Sequence, residues 1–554
     1  MDALGRLEAV DAVERLWRRD ATLFSDDPRV QAEVAPWMGW LGLAGSADGS
    51  VDECLEVVRE MPGGIENVVL LGMGGSSLAS LVMCLTLPSV SDAPRLRVLD
   101  TSSPRAVDAT MRECDPGSSA FIVASKSGGT IEPNSLYAVF REWMERHLGR
   151  GDAGRRFFAI TDPGSPLESL ARDEGFAATL LAPPDIGGRY SALSVFGLLP
   201  AIMTRLDARS LLARAVTMEE ACRQDARENP GALLASWLAD RHGEGRDKVT
   251  LVTSDGLASF GLWVEQLMAE STGKSGTGLI PIIETDPTLP TGYGSDRAVV
   301  VVRFGDDDAL AGWAADVAAQ TPVHEITLRD PYDLGAEFVR WEVAIALSGF
   351  LLGINPFDQP NVAEAKEVTS RVLSGEQPRL ELTLDLGRAR AATANIAYGV
   401  SALGSTTARG EAVESAGGLS SLATSVVGSL AEGDYLAVLS FVSGDDANGP
   451  LVPAVRSVSR RTGKAAVVEL GPRYLHSTGQ LHKGGPDSGV FLIVTVSDQP
   501  RIAVPGQPYG LADLFRAQAE GDFLTLASHG RRVAFVELPS EDDIGELAAA
   551  FAEV

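Results

Sequence analysis

Five short stretches carry residue types whose spacing could do chemistry on a phosphorylated small molecule. Two are glycine- and hydroxyl-rich loops entered from apolar runs. One is Leu71-Gly72-Met73-Gly74-Gly75-Ser76-Ser77 after Val68-Val69-Leu70, and the other is Ser125-Lys126-Ser127-Gly128-Gly129-Thr130 after residues 120–124. Such loops at a helix start offer backbone N–H groups and hydroxyls to an anion, and glycine lets the backbone approach it closely. The third stretch, Gly187-Gly188-Arg189-Tyr190-Ser191, sets an arginine fork beside paired glycines; it can reach a phosphate or a developing oxyanion, or equally be a solvated surface turn. The fourth, Phe260 to Lys274, reads as a helix running into a glycine stop. Glu270 falls in its last turn, where the macrodipole disfavours a negative charge. That makes it a candidate base, with a solvated glutamate as the alternative. The fifth, Gly353-Ile354-Asn355-Pro356-Phe357-Asp358-Gln359-Pro360 and onward, marks turns and then a new helix. Gln359 lies near that helix start and Lys366 about two turns along, where an ordinary exposed lysine is the alternative reading.

Six histidines are present, and no pair has the spacing of a zinc-binding helix. A G-x-S-x-G nucleophile elbow is also absent. His476 and His482 share one polar, glycine-rich segment, Tyr474 to Pro486, which could be a surface loop.

The elements that must position these residues follow from the alternation of apolar runs and amphipathic stretches. Residues 1–50 form an N-terminal helical segment. From 51 to 210, strands near 66–71, 96–100, 120–125, 156–160 and 177–181 alternate with helices. That predicts a doubly wound parallel sheet with ligands at the carboxyl ends of its strands, where both loops fall. From 211 to 375 come a helical connection and a second α/β unit, with strands near 248–252, 278–283, 298–302 and 323–326 and a helix over 334–352. The stretch 371–410 is mixed in character and reads as a link. Within 376–554 a third α/β domain shows strands near 435–439, 465–469, 489–494 and 532–536.

The bulk composition narrows the partners. With 554 residues, 45% of them hydrophobic, the chain can bury several cores. A formal net charge of −28 repels nucleic acid and anionic membranes, so an anionic substrate needs a locally electropositive pocket. Four scattered cysteines read as reduced thiols of a cytoplasmic protein, and the N-terminus lacks a signal-peptide pattern.

Taken together and in this order, the motifs resemble the phosphoglucose isomerase family, built from two sugar isomerase domains. The segments 260–267, 353–362 and 475–486 look closest to the isomerase half of bacterial transaldolase–phosphoglucose isomerase fusions. The resemblance implies aldose–ketose interconversion of glucose 6-phosphate and fructose 6-phosphate through a cis-enediol(ate), without metal or organic cofactor. It implies that Gly75, Ser76, Ser125, Lys126, Ser127, Thr130, Gly188, Gln266 and Gln359 bind substrate. Glu270 would be the base, Arg189 would face the reacting carbons, and Lys366 would assist ring opening. It further implies a homodimer, with a separate transaldolase as a candidate partner. The family's ring-opening histidine has no counterpart in Thr291-Gly292-Tyr293-Gly294-Ser295-Asp296-Arg297. His482 is the first choice to replace it, His476 the second, with Asp296 and His324 as further candidates; the remaining alternative leaves ring opening largely to Lys366. An isomerase that also takes mannose 6-phosphate, and a non-catalytic sugar-phosphate sensor, are the competing readings. A sensor would not need Glu270, Arg189 and Lys366 together.

Overall fold

The computed structural model describes residues 1–285, 293–396 and 418–554. Three sheets organise them. The first contains β1 (Asn67–Gly72), β2 (Arg95–Leu99), β3 (Ser119–Ala124), β4 (Phe157–Thr161) and β5 (Ala178–Leu181), in the order β2-β1-β3-β4-β5, all parallel. β1 and β3 are buried along their whole length, as their unbroken apolar sequences require of central parallel strands. The strand order reverses between β1 and β3. The loops that follow them, 73–77 and 125–130, therefore flank the crevice where such sheets bind ligands.

The second sheet contains β6 (Lys248–Thr253), β7 (Ile280–Glu284), β8 (Arg297–Phe304) and β9 (Val323–Leu328), parallel in the order β7-β6-β8-β9. The third is mixed. β12 (Tyr435–Phe441), β13 (Ala465–Leu470), β14 (Gly489–Val496) and β15 (Arg532–Leu538) run parallel, and a hairpin of β10 (Leu384–Leu386) and β11 (Ala389–Ala394) adds antiparallel to β15. That hairpin lies inside the stretch read as a link. Its Leu-Asp-Leu and Ala-Arg-Ala-Ala-Thr-Ala sequences lack the run of β-branched and aromatic residues that announces a strand, so pairing with β15 decides its conformation.

The helices that matter for the site are α1 (Leu78–Thr86), α2 (Ile131–Leu148), α3 (Phe260–Thr272), α4 (Leu334–Leu352), α5 (Val362–Ser374), α6 (Gly479–Gly484) and α7 (Leu511–Ser528). The third domain is not an appendage. Ala269 of α3 and Ile280 and Ile282 of β7 share one apolar core with Tyr435, Leu439, Phe491 and Phe515. Val504 and Leu511 join Leu136 and Phe140 in the core on one face of the first sheet. Among the described residues, no helix is long and apolar enough to cross a membrane.

Candidate active site

Two neighbouring clusters of polar side chains meet at His476. The first forms around the C-terminal end of α3. Glu270 is buried in its last turn, with one carboxylate oxygen 3.6 Å from the Arg189 guanidinium and the other accepting a 3.3 Å hydrogen bond from the Gln266 amide. Arg189 is buried too and uses its whole fork. Nε donates to the Ser271 hydroxyl (2.8 Å), one terminal nitrogen to Gln359 Oε1 (3.0 Å), and the other to the carbonyls of Pro356 (2.8 Å) and Asp358 (2.9 Å). The arginine thus fixes the 356–359 turn against α3 and still faces the carboxylate. Lys274, just past the glycine that stops α3, donates to the same Asp358 carbonyl (2.6 Å) and to its carboxylate (2.5 Å). Burial and the nearby Arg189 push the Lys274 ammonium down to about 8, against the pull of Asp358 and Glu270.

The second cluster lines a cavity of about 590 Å³. Ser127 and Thr130 of the loop after β3 sit in its wall, with Glu132 at the start of α2, Lys366 on α5, and His476, Tyr509 and Gln518 from the third domain. His476 Nε2 lies 2.9 Å from Glu132 Oε1, and the Gln518 amide donates to that same oxygen at 2.6 Å. Burial opposes charge on Glu132. The attraction and hydrogen bond of His476, a backbone N–H and the field of Lys366 outweigh it and hold the carboxyl below its usual range. The clusters join because the Gln266 amide also donates to the His476 carbonyl at 2.8 Å. Gly74 makes this junction possible. Its φ is +54°, and a Cβ there would sit 2.6 Å from Gln266 Nε2 and 2.7 Å from the His476 carbonyl oxygen. Gln266 Oε1 is buried and accepts no protein hydrogen bond among the described residues, which leaves an acceptor for a hydroxyl of a bound ligand.

The residues singled out in the sequence therefore divide. Glu270, Arg189, Gln266 and Gln359 form the first cluster, and Ser127, Thr130 and Lys366 form part of the second. Gly75 and Gly188 are in contact where the turns 74–76 and 188–190 lean on one another, and Ser191 donates to both of their carbonyls. Ser76 closes the first of these turns. Ser125 is buried beneath the loop, its hydroxyl donating to Thr130. Lys126 points away from the cavity, with Nζ 2.5 Å from Asp162 and 3.1 Å from the Pro184 carbonyl.

His482 is not in either cluster. It is 1% exposed, with its ring among Tyr435, Tyr474 and Phe491 and its Nε2 3.5 Å from Glu469. The α6 turn that follows His476 carries His482 back into the third domain's own core. Asp296 is paired with Lys248, and His324 lies tilted against Trp237 with its imidazole pushed down to about 4 by burial and Arg340; neither lines the cavity. Thr291 and Gly292 lie outside the described residues. Sequence reasoning missed Glu132, Lys274 and Gln518. Glu132 and Lys274 border or fall within motifs whose other residues drew notice. Gln518 gives no sequence signal, because only the packing of α7 brings it to the first domain.

The profile of the family described as phosphoglucose isomerase matches residues 57–287. A glucose-6-phosphate isomerase of Symbiobacterium thermophilum is 30% identical over 385 residues, covering 60% of this chain and 86% of that protein. One of Synechococcus sp. (strain JA-3-3Ab) is 31% identical over 368 residues, covering 58% of this chain and 68% of the relative. Among solved structures, a hypothetical protein from Thermus thermophilus superposes with a TM-score of 0.58 at 26% identity, over 67% of this chain and 97% of that one. A glucose-6-phosphate isomerase from Chlamydia trachomatis superposes with a TM-score of 0.51 at 22% identity, over 66% and 78%, which shows a shared fold.

Proposed function

This chain belongs to the phosphoglucose isomerase family, and from that premise we propose how its residues share the work of interconverting glucose 6-phosphate and fructose 6-phosphate, a step of glycolysis and gluconeogenesis. The phosphate is held by the hydroxyls of Ser127 and Thr130 and the N–H groups at the start of α2. Lys366 and His476 open the ring of glucose 6-phosphate: one takes the proton from O1 while the other gives one to O5, breaking the C1–O5 bond. Glu270 then removes the proton from C2 and returns it to C1 through the cis-enediol(ate). Arg189, 3.6 Å from Glu270, brings its positive charge to where negative charge develops on O1 and O2. Gln266 and Gln359 orient the sugar hydroxyls. The ring-opening role goes to His476 rather than His482, because the imidazole of His476 lines the cavity and that of His482 is sealed in a core.

One observation carries this reading. The loop hydroxyls, Lys366 and His476 share one cavity wall, and the backbone of His476 is hydrogen-bonded through Gln266 to the Glu270–Arg189 pair. Beyond the family, segments 260–267, 353–362 and 475–486 support a place beside the isomerase half of transaldolase fusions. On the same resemblance, a homodimer and a separate transaldolase partner are readings for size measurement and co-purification to decide. The test of function is conversion of fructose 6-phosphate to glucose 6-phosphate by purified protein, read through a coupled dehydrogenase. Turnover that persists with chelator in the isomerase step supports the mechanism. Sugar-phosphate binding without turnover would oppose it.

A further inference from the structure

Four hydrogen-bonding residues form a buried relay between the first and third domains. Ser102, just beyond β2, donates to Gln518 Oε1 at 2.5 Å, and Gln518 Nε2 donates to Glu132 Oε1 at 2.6 Å. The same Glu132 oxygen meets His476 Nε2 at 2.9 Å. Ser102 is 0% exposed, Gln518 2% and Glu132 3%, so bulk water does not compete for these bonds. With its Oε1 taken by the serine hydroxyl, the Gln518 amide can present only N–H to the carboxylate. A carboxylate held this way fixes the imidazole with Nε2–H toward it, which leaves Nδ1 to exchange a proton inside the cavity.

The segment bearing His476 is tied down on both other domains. Arg473 forms a two-point ion pair with Asp100 at 2.6 and 3.0 Å. The Gln480 carboxamide donates to the Gly273 carbonyl (3.0 Å) and to Asn361 (2.8 Å), and accepts from the Asn361 backbone N–H (2.9 Å). These contacts bind the turn with His476 to the end of α3 and to the start of α5, the two elements that carry Glu270 and Lys366. All of them lie within one chain.

We propose that the third domain is the proton-transfer wall of the active site, supplied in cis, with Gln518 as the positioning residue that acts through Glu132 to aim the His476 imidazole. This rests on the isomerase reading and adds to it a residue and a source: a single chain holds the phosphate loop, the base, the lysine and the histidine of one complete site. The third domain's sheet then serves as a scaffold that delivers residues 473–484 and α7.

Two experiments test it. In the first, Gln518→Leu and Ser102→Ala are assayed on fructose 6-phosphate and on 5-deoxyfructose 6-phosphate, which cannot close a ring through O5. Gln518→Leu is expected to lose about tenfold in kcat on the cyclic sugar and less than about threefold on the open-chain one. Ser102→Ala, a milder change should Gln518→Leu fail to fold, shifts in the same direction by less. Equal losses on both sugars, or none on either, overturn the positioning role. In the second, Glu270→Gln and His476→Ala chains are mixed under conditions that exchange subunits. Sites completed in cis recover no activity from the mixture, whereas recovery toward about a quarter of wild type, the statistical yield of intact shared sites, means the histidine comes from another chain and overturns the proposal. If wild-type protein binds but never turns over fructose 6-phosphate, the isomerase reading itself fails, an outcome distinct from the variant results.

Discussion

Gly75→Ala isolates a contact that the mechanism needs. An added Cβ would lie 2.1 Å from the Gly188 carbonyl oxygen and 2.9 Å from the Arg189 nitrogen. Both are backbone atoms, so no rotamer change relieves the clash. Restoring ordinary van der Waals contact at 3.4 Å moves the 188–189 backbone by about 1.3 Å. Arg189 is anchored at 2.8–3.0 Å to Ser271, Gln359 and two carbonyls, and it faces Glu270 at 3.6 Å. A shift of that size breaks this register. Misplacement by ~1 Å at a reacting centre costs about 10²-fold in rate, and overpacking costs about 1–3 kcal/mol in stability. Urea unfolding and coupled-assay kinetics on the same preparation separate the two. The expected result is a folded protein with kcat down about 10²-fold. Gly188→Ala is the control. Its Cβ would meet only the Gly75 Cα at 3.9 Å, so its stability stays within about 0.5 kcal/mol of wild type. If Gly75→Ala keeps kcat within about threefold of wild type, Arg189 does not depend on the contact between the two turns and the reasoning fails.

Further variants test neighbouring parts of the site. Glu270→Gln should lose about 10²–10⁴ in kcat while calorimetry still detects sugar-phosphate binding, because the phosphate loop lies in the other cluster; a kcat within about tenfold of wild type removes Glu270 from the base role. Lys274 is depressed from its ordinary 10.5 to about 8, so the unfolded chain binds the extra proton between those values. Its contribution to stability is fully present above pH 10.5 and is lost as pH falls through about 8. Urea unfolding should show wild type gaining up to about 3 kcal/mol relative to Lys274→Met between pH 7 and 10.5, and a pH-independent difference would show that the ammonium is not strained by burial. His482→Ala should lower stability by about 2 kcal/mol through a cavity among Tyr435, Tyr474 and Phe491, with kcat near wild type; a kcat loss exceeding that of His476→Ala would return ring opening to His482.

The strands that carry the site were legible because a central parallel strand writes itself as an unbroken apolar run. Val68–Leu71 and Phe121–Ala124 are examples, each ending in a loop whose glycines and hydroxyls announce an anion site. Helix α3 was legible from its glycine stop, and α4 (Leu334–Leu352) emerges with the bounds expected from its apolar length. The β10–β11 hairpin was not, because Leu-Asp-Leu and an Ala-rich strand have no intrinsic claim on strand conformation; β10 pairs with β11, and β11 with β15. The choice between His476 and His482 was equally closed to sequence. Both lie in one polar segment, and the sealed core around His482 is built with Tyr435 and Phe491, which belong to strands outside that segment. Chain pattern reports which residues recur on one face of an element; it does not report which face meets another domain.

The location of Lys126 alters how an acidic protein holds an anion. With a net charge of −28, the lysine in the 125–130 loop looks like the counter-charge for the phosphate, yet its ammonium is spent on Asp162. Lys366 is the one lysine or arginine among the described residues that line the cavity, and the ionised Glu132 faces the same space. In the proposed binding mode the phosphate therefore meets neutral donors: the Ser127 and Thr130 hydroxyls and the backbone that leads into an 18-residue helix whose dipole adds roughly half a positive charge. On that proposal, fixed neutral donors would hold the dianion in one place without neutralising it. Lys366 stays free to exchange a proton, and Glu132 can remain a carboxylate beside His476 despite its burial. A site assembled from more cations would bind phosphate more tightly, at the cost of pairing off the groups whose protons the reaction has to move.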